Sequence, residues 1–128
     1  MGTLSEQDKL DVAAAYAAAS RANDATAFAA LAAPGALTWH NFDDKEMTIE
    51  QTVRGLGSVH RAMPDAQWSD VSLKTTTDGF VWQSILTGTA PGGALRLHSC
   101  LIVTLNEEGK VTRAEEYLDT AQTSVLRG

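Results

Sequence analysis

Apolar and polar positions divide the chain into a helical first half and a strand-rich second half. Residues 5–20 are rich in Ala, which loses little side-chain entropy in a helix. Leu10, Ala13, Ala17 and Arg21 recur at helical spacing, with Val12, Tyr16 and Ala19 as a neighbouring stripe. Asn23-Asp24 breaks this pattern and caps a short helix over Ala25–Ala33, whose apolar side is Phe28 and Leu31. Pro34-Gly35 is read as its stop. Ala36 to Asn41 alternates as a strand, with Leu37 and Trp39 against Thr38 and His40, and a charged loop from Asp43 to Glu46 follows. Thr48 and Gln51 have capping-box spacing, and the helix they open carries Ile49, Val53, Leu56, His60 and Met63 in one stripe up to Pro64.

The remainder reads as four antiparallel strands: Gln67–Thr76, Phe80–Ala90, Ala94–Leu105 and Val111–Leu118. Their turns are Thr77-Asp78-Gly79, Pro91-Gly92-Gly93 and Asn106 to Gly109. Three helices followed by a meander imply an α+β fold with the helices on one side of the sheet. At 128 residues this is one domain, able to bury roughly two-thirds of its unfolded surface.

Charge and cysteine usage narrow the classes. Sixteen acidic against ten basic residues give a net charge of -6, and no two basic residues are adjacent, so no nucleic-acid partner is expected. One cysteine, Cys100, excludes an internal disulfide and a multi-thiolate metal site. No window is apolar enough for a membrane span and the N-terminus lacks the features of a signal peptide, so a cytoplasmic protein is expected. No nucleotide, P-loop or zinc motif is present, and no cofactor or metal is expected.

The candidate chemistry lies in isolated polar residues within apolar segments. His40 ends the first strand and suits a general base, since an unperturbed imidazole titrates near 6.5; its other reading is a hydrogen-bonded strand end. Tyr16 is either a phenol donor to a developing oxyanion or a core tyrosine. His60 lies on the apolar stripe of the third helix. On the long strand, Leu97, Ser99, Leu101, Val103 and Leu105 share one face, while Arg96, His98, Cys100, Ile102 and Thr104 share the other. If Leu105 faces Lys110 across the last hairpin, Ser99 faces Glu116 and Leu97 faces Leu118. Glu116 then falls on the leucine-rich face, where a carboxylate needs a partner or acts as an acid. Asp119 is either a second acid or a cap for a terminal helical turn. Trp39, His60, Trp82, Ser99, Leu101 and Leu118 are the expected pocket residues.

The segments AAYAAASRANDATAFAALAAPGALTWHN and GFVWQSILTGTAPGGALRLHSCLIVTLNEEGKVTRAEEYLDTAQ, with the helix between them, resemble the SnoaL-like branch of the NTF2-like superfamily. The closing Gly109, Lys110, Val111, Tyr117 and Asp119 are its most recognisable part. The resemblance implies a curved sheet wrapped by three helices into a cone around a hydrophobic cavity. It implies a small, largely apolar organic ligand, a homodimer formed through the outer sheet face, and acid/base chemistry of isomerase or cyclase type without a cofactor. Non-catalytic binding, epoxide hydrolysis and dehydration also occur on this fold. Matched to the ketosteroid isomerase pattern, the catalytic tyrosine falls on Tyr16, the aspartate base on His40, and the neutral aspartic acid of the oxyanion hole on Leu101.

Overall fold

A computed structural model describes residues 3–127. The first helix, α1 (Glu6–Ala22), starts at a capping box in which the Ser5 hydroxyl and Asp8 carboxylate each accept the other's backbone N–H. It ends at Asn23, whose left-handed backbone (φ 52°) closes the last turn. Asp24 caps α2 (Ala25–Ala30), which is shorter than the sequence predicts. The difference lies in β1, which runs Ala32–His40 and so starts before Pro34-Gly35. That dipeptide is not a helix stop. It forms an irregularity in β1 between Ala32 and Leu37, with Gly35 in the left-handed region at φ 77°. The early start is fixed at long range, by Ala32 pairing with Val111 and by the Val111 N–H donating to Leu31 O.

Part of the predicted charged loop is a short edge strand, β2 (Glu46–Thr48), paired antiparallel to β1. Next comes α3 (Ile49–Ala62), capped by Thr48 and Gln51 as their spacing predicts. The meander then follows as β3 (Gln67–Thr76), β4 (Gly79–Ala90), β5 (Gly93–Leu105) and β6 (Val111–Leu118), close to the predicted limits. A 3₁₀ helix over Thr120–Arg127 ends the described chain. The six strands form one sheet in the order β2-β1-β6-β5-β4-β3, in which β1 and β6 are parallel. Register shifts also occur in β3 between Asp70 and Ser72, and in the β5–β6 ladder beside Leu105. Such irregularities bend a sheet, and this one curves around its helices.

The β5–β6 register differs from the predicted one by two residues. Leu101 faces Glu116 and Ser99 faces Leu118. The hairpin loop starts at Asn106, whose side chain accepts the Glu108 and Lys110 N–H groups, and an extra residue then enters beside Leu105. Two residues of slip preserve the faces, so Glu116 still points with Ser99 and Leu101.

Two apolar clusters flank the concave side. One joins α1 and α2 to the sheet through Tyr16, Phe28, Phe80, Trp82, Leu101 and Val103. The other gathers Met63, Leu86, Leu95 and Leu97 beneath Val125 and Leu126 of the 3₁₀ helix. Trp68 packs on both. The Lys9 ammonium seats α1 by donating to the Thr76 and Thr77 carbonyls at 2.8 and 3.0 Å. No helix among the described residues is long and apolar enough to cross a membrane.

At Gly79, where β4 leaves its turn, a Cβ atom would overlap the Val103 carbonyl. Gly79→Ala should therefore lower unfolding free energy by on the order of 3 kcal/mol in denaturant titrations, and a loss under about 1 kcal/mol would contradict the close approach. Asp65 ties the α3–β3 connection to β4 by accepting the Thr89 N–H and hydroxyl, and these bonds hold its carboxyl below the ordinary value of 3.8. Its stabilisation is thus present above that value and lost as pH falls through the depressed folded one. The stability gap between wild type and Asp65→Asn should shrink on acidification below 3.8; a gap unchanged between neutral pH and that range would refute it.

Candidate functional site

The parallel register of β1 and β6 sets His40 beside Glu116. Residues that are neighbours across a ladder project to the same face, here the concave one. His40 Nε2 lies 3.2 Å from Glu116 Oε1, and the Ser99 hydroxyl donates to Glu116 Oε2 at 2.6 Å from the adjacent β5. A carboxylate flanked in this way accepts on both oxygens, so His40 Nε2 carries the hydrogen that faces Glu116. Among the described residues Nδ1 has no hydrogen-bond partner, and the Phe42 ring tilts against the imidazole at 5.1 Å between centroids. The side chains of His40 and Glu116 are 14% and 28% exposed, enough for contact with a ligand and low enough to strengthen their interaction.

Asn41 fastens this pair. Its side-chain amide donates to Leu118 O at 3.2 Å and its side-chain oxygen accepts the Leu118 N–H at 3.0 Å, while its own N–H donates to Glu116 O. The side chain thereby extends the β1–β6 ladder beyond His40. Nothing in the local sequence signals this role, since the partner is 77 residues away.

His40, Glu116 and Ser99 line a cavity of about 530 Å³ between the sheet, α1, α3 and the 3₁₀ helix. Its walls are mainly apolar, with Trp68 and Trp82 among them, and Ser84 adds a hydroxyl. Gly55 of α3 also faces it, and a Cβ placed there would meet nothing within 4 Å. The glycine leaves space in the cavity rather than allowing the helix to pack closer.

Tyr16 also lines the cavity, from the middle of α1. Its ring packs on Phe28 at 4.8 Å and edge-on to Phe80 and Trp82 at 6.0 and 6.4 Å. Burial, then the nearby charge of Glu116, push its phenol well above the ordinary value of 10.0. The phenol therefore remains a hydrogen-bond donor throughout the neutral range.

Of the residues expected from sequence, Tyr16, His40, Trp82, Ser99, Leu101, Glu116 and Leu118 meet at the cavity, whereas Trp39, His60 and Asp119 do not. Trp39 is on the convex face, where its indole N–H donates to Asp44 and its ring meets Tyr117 at 5.3 Å. Strand alternation requires this once His40 points inward. His60 donates from Nε2 to Ser20 O at 2.9 Å and packs on Trp68, joining α3 to α1. Asp119 takes the capping reading, with its side chain accepting the Ala121 N–H at 2.9 Å. Thr38, two residues before His40, lines the cavity too, as the same alternation would have shown. Among the described residues, no group of three His, Cys, Asp or Glu side chains is placed to hold a metal ion.

No family model matches the sequence, and no curated protein matches it. Solved structures do. PrhC of Penicillium brasilianum superposes with a TM-score of 0.83 at 12% identity, covering 94% of this chain and 86% of its own. A protein described as a SnoaL-like polyketide cyclase from Jannaschia sp. CCS1 gives 0.81 at 15% identity, covering 100% of this chain and 99% of its own. The fold is NTF2-like. A protein of ketosteroid isomerase-like fold from Catenulispora acidiphila gives 0.75 at 16% identity, covering 91% and 90%. At such identities the NTF2-like likeness is one of architecture, and residue roles rest on the geometry above.

The Thr38 hydroxyl is the one buried side-chain polar atom among the described residues that has no partner. An unpaired buried hydroxyl costs free energy that an apolar group of the same shape does not. Thr38→Val should raise stability by about 1 kcal/mol in thermal or denaturant unfolding. A loss of stability would show that the hydroxyl has a partner in solution.

Proposed function

We propose that this protein binds a small, largely apolar carbonyl compound in the NTF2-like cavity and moves a proton on it. The observation that carries the reading is the His40–Glu116 pair, 3.2 Å apart and completed by Ser99, in a cavity with otherwise apolar walls. In the reaction envisaged, His40 Nδ1 removes a proton from the carbon next to the carbonyl. The C–H electron pair shifts toward the carbonyl oxygen, forming an enolate, and the proton returns to the same or a conjugated carbon. Glu116 steadies the imidazolium formed in the first step, and the Tyr16 phenol donates to the enolate oxygen.

Leu101 offers no second acid at the oxyanion. Glu116, its cross-strand neighbour, is already committed to His40 and Ser99. Tyr16 therefore carries that role alone, which suits a substrate whose C–H is already acidified, such as a conjugated or phenolic ketone.

The test has two stages. Cyclic enones and phenolic polyketide-like ketones are screened for binding by quenching of tryptophan fluorescence, since Trp68 and Trp82 line the cavity. Bound compounds are then followed by NMR for exchange of the carbonyl-adjacent hydrogens in heavy water. His40→Ala is expected to slow exchange by about 100-fold or more; Tyr16→Phe should cost less, because water can replace the donor. Binding without protein-dependent exchange would make this a carrier, and absence of binding across the set would overturn the reading altogether.

A further inference from the structure

The charged side chains facing the cavity are unequal in sign. Asp43, Glu116 and the titratable His40 line it, and among the described residues no Lys or Arg does. Three basic side chains of the surrounding elements are held by other partners. Arg21 donates to Asp70 and to Trp68 O, with its guanidinium carbon 5.7 Å from the Trp82 ring centroid. Arg113 is bound between Glu46 and Glu115. Lys9 is spent on the Thr76 and Thr77 carbonyls.

Resting on the reading of the cavity as a binding site, we propose that it selects ligands by sign of charge. It admits uncharged molecules and protonated amines, and it turns away carboxylates, sulfates and phosphates. His40 does not reverse this when protonated, since its Nε2 is paired with Glu116 and the two together then sum to zero, with Asp43 still in place. Enolate formation is compatible with such selection. Moving a proton from substrate to His40 leaves the total charge of the occupied cavity unchanged, whereas a carboxylate adds one negative charge to it. Like charges at a few ångströms in a partly shielded site repel enough to weaken binding by at least about tenfold.

Three probes on one skeleton test this: naphthylmethanol, naphthylmethylammonium and naphthoate, with affinities measured by calorimetry at neutral pH. The expected result is naphthoate at least tenfold weaker than the alcohol, with the ammonium equal to the alcohol or tighter. Smaller discrimination against naphthoate would overturn the proposal. So would an ammonium that loses as much affinity as naphthoate, because desolvation alone would then account for both. In Asp43→Asn and in Glu116→Gln the alcohol-to-naphthoate affinity ratio should fall by threefold or more, and an unchanged ratio in both would also overturn it. If the alcohol binds and naphthoate keeps pace, charge selection fails while the site stands. If none of the three binds, the reading of the cavity as a site for aromatic molecules fails and takes this inference with it.

Discussion

The parallel ladder between β1 and β6 is the constraint on which the site depends. The two strands are far apart in sequence, and Asn41 and Leu118, which lock their ends together, are separated by 77 residues. Closing such a span carries an entropic cost that local interactions do not offset. In the sheet β6 lies between β1 and β5, so both of its edges are set by strand pairing. His40 and Glu116 are therefore neighbours only in the finished molecule. Their contact, together with the Ser99 hydroxyl from β5, satisfies a carboxylate that would otherwise be costly to hold against leucines.

What could be read from the chain was whatever local periodicity controls. The Thr48–Gln51 cap, the Asp78-Gly79 turn and the alternation along Gly93–Leu105 each act within a few residues, and the elements they specify formed where expected. The start of β1, the existence of β2 and the β5–β6 register depend on distant partners or on an inserted residue, and the pattern of a single segment carries no record of these. The site divides along the same line. His40, Glu116 and Tyr16 were visible because alternation or helical phase sets their direction. His60 occupies the apolar stripe of α3 but on the flank toward α1, where it finds the Ser20 carbonyl. That flank is chosen by how the two helices cross, which sequence periodicity leaves open. Trp39 was expected in the pocket, yet it alternates with His40 along β1 and lies on the opposite face.

The cavity also places a demand on the core. Open apolar space forfeits dispersion contacts that a filled interior would have. Here the two apolar clusters stand on either side of the space, with Phe80 fully buried in one and Met63 in the other. Gly55 contributes from the opposite side by presenting no side chain, at a cost of about 1 kcal/mol in helix propensity relative to Ala.

The attachment of α1 has a mechanical consequence. Near its start, Lys9 grips the carbonyls at the β3–β4 turn; near its end, Arg21 grips Asp70 and the Trp68 carbonyl farther back along β3. The helix is a beam pinned at two points to one strand, and Tyr16 projects from between the pins. Sliding along the beam's axis would have to break both attachments at once, so the position of the phenol along β3 is fixed from either side. Tyr16 and His40 thus reach one cavity from elements with different polar supports, the helix held to β3 and the end of β1 held to β6 by Asn41.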